Sequence, residues 1–319
     1  MRLTPTLRGA LFALLAFALF STHDAVIKYL GGAYTAFQII FFRTLFSFPV
    51  VTVLLMRDRT DGNLRPRHPW WIALRTAADM LSGAGAFYAF SVLPLAQVYA
   101  MLFASPLLIT LLAIPILGER VGLHRGLAVV AGLLGVLIVL RPGAAPIGLG
   151  HIGAMTSAVG GAASSIISRK IGKDERSAVI LLYPMMANFV VMAALMPFVY
   201  VPMGLIDLGG MGLVATFAII AGLCQIVAYR SAEAAIIAPM QYSQILWAAV
   251  YGYLFFHEGI DRYTALGILV IVASGLYILF RENTARTSEN RPVLSLRARP
   301  DAGAASRLGP ILPQRDPPN

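Results

Sequence analysis

Ten apolar runs, each close to the length of a membrane-spanning helix, dominate this chain. A helix needs roughly 20 mostly apolar residues to cross the hydrocarbon core of a bilayer. The runs cover about residues 10–30, 34–56, 70–91, 95–117, 123–140, 148–168, 177–199, 209–229, 236–256 and 263–280. Short connections that contain glycine and proline separate them. The pattern predicts an all-α membrane protein with ten transmembrane helices.

The composition also indicates a lipid environment. Hydrophobic residues make up 58% of the 319 residues and charged residues only 13%, whereas about 25% charged residues is usual in a soluble domain. The formal net charge of +10 would favour a nucleic-acid partner in a soluble protein. Here the basic residues lie in short connections and in a C-terminal tail. We therefore interpret the charge as a signal of membrane topology and expect no nucleic acid as a partner.

The distribution of lysine and arginine predicts the orientation of the spans. If the N-terminus is cytoplasmic, 20 of the 25 basic residues fall on the inside, whereas only Arg141 and Arg262 fall on the outside. The other three lie within the apolar runs. Because positive residues accumulate on the cytoplasmic side, the count predicts a multi-pass protein with both termini in the cytoplasm.

The two halves of the chain show weak internal similarity. A shift of 139 residues aligns the region around Glu119 with that around Glu258, and a shift of 142 aligns Lys28 with Lys170. Each half has five spans, and an odd number makes the second half inverted relative to the first. We predict one repeat over residues 8–141 and another over 147–281, followed by a disordered, basic cytoplasmic tail over 282–319.

Several short motifs carry a resemblance to a known family. "YAFSVLPLAQVYAML" leads into the fourth run, "LGER" ends it, "GVLIVLRPG" closes the first half, and "FHEG" follows the ninth run. With the five-plus-five layout, these resemble the EamA type of the drug/metabolite transporter (DMT) superfamily over about residues 8–281. "DAVIKYL" followed by "QIIFFRTLF" is similar to a branch that includes riboflavin and S-adenosylmethionine uptake proteins. The resemblance implies ten helices in the cell inner membrane, a central cavity and no ATP-binding part.

Charged residues inside the apolar runs are the first candidates for a functional site. A charge at the middle of a membrane costs at least about 2.5 to 3.5 kcal/mol, so such residues usually face a cavity or a partner. The chain has five of them: Asp24, Lys28, Arg43, Arg75 and Asp79. A cation among them would hold an anionic or polar substrate group, and a carboxylate would relay protons or recognise an amine. The alternative is a set of ion pairs that only fixes helix packing.

The spacing of these residues predicts specific partners. Asp24 and Lys28 are four residues apart, as are Arg75 and Asp79, so each pair shares a helix face and is expected to interact directly. Arg43 would then be a surplus charge, close in depth to Asp79, and we expect the two to meet across the bundle. For Arg75 we favour a structural role, with its side chain extended to the cytoplasmic face.

Three further ionisable residues, His23, Glu119 and Glu258, also carry expectations. His23 points about 100° away from Asp24 on the helix, so it need not face the same cavity. Glu119 and Glu258 end repeat-equivalent spans on opposite faces. We expect them to hold loop backbone or the nearby Arg120 and Arg262, with a gating role as the alternative.

In the second half the polar candidates are neutral. Gln241 and Gln244 follow Pro239, which removes a backbone donor and opens the helix locally. Such an opening exposes carbonyl groups to a ligand, although ordinary hydrogen bonds between helices are the alternative. Tyr88 and Trp247 belong to a set of aromatic residues that would form stacking walls for a flat ligand or, alternatively, fill the core and line the membrane interfaces.

These observations predict a secondary transporter that moves a small organic metabolite by alternating access. Riboflavin is the first substrate that we expect, with S-adenosylmethionine or an amino acid as alternatives, and a membrane scaffold or sensor is the alternative class. The sequence contains no P-loop, H-E-x-x-H or G-x-S-x-G motif and no cluster with metal-ligand spacing. We therefore expect no enzyme activity, no catalytic residues, no cofactor and no metal. Proton coupling is a hypothesis based on the buried carboxylates, and a homodimer is left open.

Overall fold

The computed structural model describes residues 5–56, 64–119, 122–142, 146–172 and 174–284. This part of the chain is almost entirely helical. Its helices are α1 (Pro5–Gly31), α2 (Ala36–Met56), α3 (Pro69–Val92), α4 (Leu95–Leu102), α5 (Ser105–Leu117), α6 (Leu123–Leu140), α7 (Leu149–Ile171), α8 (Ser177–Val199), α9 (Leu205–Ser231), α10 (Ala234–Met240), α11 (Ser243–Phe256) and α12 (Arg262–Thr284). The predicted tail lies outside the described residues from residue 285 onward.

Every predicted apolar run is helical. By length and hydropathy, six of the described segments are able to cross a membrane: Thr6–Gly31, Leu95–Leu117, Leu123–Leu140, Ala178–Val199, Leu205–Ser231 and Arg262–Phe280. The all-helical membrane class expected from the sequence is thus confirmed.

The fourth and ninth runs are each broken into two helices. The predicted break after Pro239 is confirmed, because α10 ends at Met240 and α11 begins at Ser243. The break between α4 and α5 was not predicted from the sequence. There Pro106 lacks an N–H and its ring opposes the carbonyl of Leu102, the last residue of α4. The two breaks lie at nearly equivalent positions of the two predicted repeats.

Two closely packed helix pairs form the frame of the bundle. α3 packs along α7, and α1 packs along α9. A Cβ atom added at Gly85 in α3 would lie only 2.4 Å from the carbonyl oxygen of Gly153 in α7. A Cβ atom added at Gly9 in α1 would lie 2.6 Å from the Cβ of Ala232, just after α9. Each pair therefore combines one helix from each predicted repeat.

The connections group at two ends of the bundle. At the first, which we call the Lys28 end, Arg141 after α6 forms an ion pair with Asp261 before α12. At the opposite end, the Glu119 end, the backbone N–H of His68 donates to Glu175 Oε1 at 2.5 Å. Connections that the lysine and arginine count assigns to one side of the membrane therefore contact one another.

Candidate functional site

A buried carboxylate, Asp24 in α1, lies at the centre of a polar network inside the bundle. Its side chain is almost completely enclosed. The hydroxyl of Tyr99 donates a short hydrogen bond to Asp24 Oδ2, and His23 Nδ1 lies 2.8 Å from Asp24 Oδ1. His23 thus contacts this carboxylate although adjacent side chains leave the helix about 100° apart. Hydrogen bonds to both oxygens offset the large cost of burying the carboxylate.

Tyr99 joins the two predicted repeats. This side chain of α4 is 0% exposed, and its hydroxyl lies 3.3 Å from Ser21 Oγ. Gln244 Nε2, in α11, donates to the same hydroxyl at 3.4 Å. Gln244 thus contacts the Asp24 network, and Gln241 caps the end of α10 next to the helix break. The network therefore spans α1, α4 and α11 beside both broken helices.

Aromatic rings form a continuous wall around this network. Phe90 contacts Tyr99 edge-on with 5.4 Å between ring centroids, Tyr99 contacts Phe103 at 5.8 Å, and Phe103 contacts Tyr242 at 5.1 Å. Aromatic walls were expected from the sequence, but the role of Tyr99 as the hydrogen-bond donor to Asp24 was not. The abundance of aromatic residues does not indicate which hydroxyl meets the carboxylate, because that contact joins residues 75 positions apart.

The two aromatic residues singled out from the sequence lie elsewhere. Tyr88 is 37% exposed on the outer face of α3. Trp247 is partly exposed on α11 and stacks on Tyr251 at 5.9 Å. The hydroxyl of Tyr251 in turn lies 2.9 Å from Thr22 Oγ1 in α1. Trp247 thus lies beside the α1–α11 contact, whereas Tyr88 is not part of the aromatic wall.

Arg43 approaches the network through Phe87. Its guanidinium carbon lies 5.5 Å from the centroid of the Phe87 ring, and the His23 ring contacts the same ring edge-on at 6.0 Å. The expected meeting of Arg43 with Asp79 is wrong. Asp79 instead accepts a hydrogen bond of 2.6 Å from Ser164 Oγ in α7.

The predicted pair of Arg75 and Asp79 is confirmed, with 3.5 Å between Arg75 Nη1 and Asp79 Oδ2. The prediction that Arg75 extends to the cytoplasmic face is wrong, because the residue is only 3% exposed. Arg75 donates to Ser168 Oγ at 2.6 Å and to the carbonyl of Ile180 at 2.7 Å. Arg75 and Asp79 therefore hold α3, α7 and α8 together, away from the Asp24 network.

Lys28 forms an ion pair with Glu258, not with Asp24 as predicted. Its Nζ lies 2.7 Å from Glu258 Oε1 and donates to the carbonyl of Leu93 at 2.6 Å. Tyr99 and His23 occupy the oxygens of Asp24, and Lys28 lies one turn closer to the end of α1, within reach of Glu258. Glu258 also accepts the backbone N–H of Leu95 at 3.0 Å.

The remaining glutamate, Glu119, has an ion-pair partner on another helix. Glu119 pairs with Arg169 at 2.6 Å, and Arg120 lies outside the described residues. For Glu258 the expected contact with backbone is confirmed, but the expected pairing with Arg262 is not observed, because Lys28 takes that place. The five charged residues of the apolar runs have a formal sum of +1, and Glu258 brings this sum to zero. Asp24 contacts His23 and Tyr99, and Arg43 contacts the ring of Phe87.

The fold is that of a polytopic helical membrane protein. The chain belongs to the EamA-like transporter family, whose profile matches it over residues 7–141 and again over residues 148–280. This membership confirms the resemblance seen in the sequence motifs.

The relatives with known activities are distant. The chain is 24% identical to the S-adenosylmethionine uptake transporter of Rickettsia prowazekii, over 89% of this chain and 96% of that protein. It is 28% identical to the riboflavin transporter of Rhizobium johnstonii (86% and 91% covered) and 28% identical to the pseudopaline exporter of Pseudomonas aeruginosa (83% and 94% covered). A solved structure with 17% identity shares the fold, with a TM-score of 0.55 over 88% of this chain and 99% of the other.

Proposed function

We propose that the protein is an inner-membrane secondary transporter that moves a small organic metabolite by alternating access. In this proposal ten spans form two inverted five-helix repeats, over residues 8–141 and 147–281, with both termini in the cytoplasm. The observation that carries it is the buried network of Asp24, Tyr99 and Gln244. It joins the two halves next to broken helices, and discontinuous helices between inverted repeats are a common place for substrate sites in such carriers.

For the substrate we propose a molecule that combines a flat ring with polar or charged groups. The aromatic wall that includes Tyr99 and Phe103 supports a flat ring, and Asp24 and Arg43 support groups of either sign. Riboflavin is the first compound to test. S-adenosylmethionine is the second compound to test, and amino acids are the third. Riboflavin and S-adenosylmethionine come first because the relatives named above include transporters of these two compounds.

Proton coupling is part of the proposal. Asp24 and His23 are in direct contact in a buried position, and a carboxylate with a neighbouring imidazole is a suitable pair for exchanging a proton. Transport into proteoliposomes should respond to an imposed pH gradient. A rate that is the same with and without the gradient would exclude proton coupling.

The site is tested by uptake into proteoliposomes that contain purified protein. A panel of vitamins, nucleosides and amino acids identifies the substrate. Arg43→Ala and Asp24→Asn should then reduce its uptake at least about tenfold, since each removes a charge-assisted contact worth roughly 1.5 kcal/mol or more. Matched controls are Arg262→Ala and Asp174→Asn, which change exposed residues of the same types. Equal uptake by the site variants and the controls would show that the site assignment is wrong.

Two further measurements address the assembly and the alternative class. Light scattering of the purified protein distinguishes a monomer from a homodimer. Deletion of residues 285–319 should leave transport intact, whereas a scaffold or sensor that works through this segment would lose its output.

A further inference from the structure

The most informative feature outside the substrate site is a junction at the Lys28 end of the bundle. We call it the Lys28 latch: Lys28 in α1, the carbonyl of Leu93 after α3, the N–H of Leu95 in α4, and Glu258 after α11. Lys28 binds both Glu258 and the Leu93 carbonyl, and Glu258 also binds the Leu95 N–H. Four helices that meet at this end are thus tied together by one lysine and one carboxylate.

The predicted repeat places an equivalent set of groups at the Glu119 end. Glu119 is equivalent to Glu258, Lys170 to Lys28, Ala232 to Leu93 and Ala234 to Leu95. In the structure these groups do not form the equivalent junction. Lys170 donates to the carbonyl of Ile116 at 2.9 Å, and Glu119 pairs with Arg169. These groups lie on α5, on α7 and in the connection after α5, and the Nζ of Lys170 also lies 4.4 Å from the centroid of the Trp71 ring in α3.

One atom marks the missing contact. Glu119 Oε2 is buried and has no hydrogen-bond partner within the described part of the chain. Its counterpart, Glu258 Oε2, accepts the N–H of Leu95 at the start of α4. The group that would satisfy Glu119 by the same rule is the N–H of Ala234 at the start of α10. A buried acceptor without a partner is costly, and a contact with the Ala234 N–H in another state would remove that cost.

The helix packing shows the same asymmetry on a larger scale. α1 packs against α3, and α4 packs on α11 and α12. Within the described residues, the repeat-equivalent pairs, α7 with α9 and α10 with α5 and α6, make at most marginal contact. The two tight pairs, α1 with α9 and α3 with α7, are each other's equivalents under the predicted repeat, and both are closely packed. The two ends therefore differ within the described residues: α1, α3, α4 and α11 meet at the Lys28 end, whereas α9 and α10 lack the equivalent packing on α5, α6 and α7 at the Glu119 end.

We propose that these two sets of residues are alternating latches for the movement of the α1–α9 pair against the α3–α7 pair. In the opposite state Glu258 releases Lys28 and the Leu95 N–H, whereas Glu119 Oε2 accepts the Ala234 N–H and Lys170 moves from Ile116 to the Ala232 carbonyl. Each state then forms one latch and opens the other end. The inference rests on the proposed alternating-access function, but its test needs no substrate.

The test measures distances at both ends by pulsed electron paramagnetic resonance on the full-length protein in nanodiscs. Cys224 is the only cysteine, so Cys224→Ser gives a clean background. Spin labels at Val92→Cys and Ile260→Cys report on the Lys28 end, and labels at Ser231→Cys and Leu123→Cys report on the Glu119 end. All four sites are at least partly exposed.

Glu258→Gln should increase the population that is open at the Lys28 end at least about tenfold, or about 1.4 kcal/mol, and shorten the distances at the Glu119 end. Glu119→Gln should leave the Lys28 end closed, because Glu119 does not yet make its latch contact. The matched control is Asp261→Asn, which removes another ion pair three residues further along the same connection. The control should leave both distance distributions unchanged.

Exchange of the charges, Lys28→Glu combined with Glu258→Lys, should restore the closed population in part, which separates a lost ion pair from misfolding. The latch is refuted if Glu258→Gln leaves both distributions as in the parent protein, or if both ends lengthen together. If the distances exchange as expected but no metabolite is transported, the latch stands and the proposed transport function falls. If transport is found and the distances do not respond, the opposite holds.

Discussion

Replacement of Tyr99 by phenylalanine tests the centre of the site with the smallest possible change. Tyr99→Phe removes one hydroxyl from a completely buried ring and leaves the aromatic contacts with Phe90 and Phe103 in place. The hydroxyl donates to Asp24 and accepts from Gln244. A hydrogen bond to a charged group contributes roughly 1.5 to 3 kcal/mol, and an unsatisfied buried partner adds to the loss.

The expected effect follows from these contacts. At about 1.4 kcal/mol for each factor of ten, Tyr99→Phe should lower kcat/KM for the transported metabolite about 10- to 100-fold if the network is the substrate site. The free energy of unfolding, measured by titration with sodium dodecyl sulfate, should fall by roughly 1.5 to 3 kcal/mol. The two measurements separate a role in transport from a role in stability alone.

Tyr88→Phe is the matched control, since Tyr88 lies partly exposed on the outer face of the neighbouring helix. This control should change neither quantity beyond error. Equal behaviour of Tyr99→Phe and Tyr88→Phe would refute the view that the Tyr99 hydroxyl holds Asp24. A loss of stability without any loss of transport would reduce the network to a packing feature.

The remaining predictions concern packing and pH. Gly85→Ala should destabilise the protein by about 1 to 3 kcal/mol, because the added methyl group meets the Gly153 carbonyl. Gly83→Ala is the control and should stabilise α3 by up to about 1 kcal/mol, because no atom lies within 4 Å of its added methyl group. Equal shifts of the two variants in a detergent titration would contradict the close packing of α3 on α7. Burial opposes ionisation of Asp261, but hydrogen bonds led by those from Thr264 outweigh it and lower the pKa of the carboxyl from 3.8 to about 2. Because the folded pKa lies below the unfolded value, this stabilisation is present above about pH 4 and is lost as the pH falls towards 2. The melting temperature of Asp261→Asn should therefore fall less over that interval than that of the parent protein, and parallel curves would contradict the assignment.

The position of Asp24 and Lys28 on one helix links the proposed site to the proposed latch. Four residues of α-helix separate them by about 6 Å along the axis. A substrate that displaces the Tyr99 hydroxyl from Asp24 would act on α4, whose first N–H is held by Glu258. Binding at the site and release of the latch therefore involve the same two helices, α1 and α4.

The helical membrane class could be predicted from local sequence alone. Runs of about 20 apolar residues have few alternatives to a helix in lipid, because the backbone polar groups must be satisfied within the segment. Pro239 also marked a helix break correctly, since the missing N–H and the ring act on adjacent residues. The pair of Arg75 and Asp79 was predictable for the same reason, because residues four apart on a helix are neighbours.

The partners of the other charged residues were decided only by the tertiary structure. Lys28 was expected to pair with Asp24 on its own helix, but Glu258, 230 positions away, lies at the same end of the bundle, and Tyr99 occupies the carboxylate. Spacing along one helix shows which residues are able to meet. Competition from side chains on other helices determines which of them do, and that competition exists only once α1, α4 and α11 are packed together.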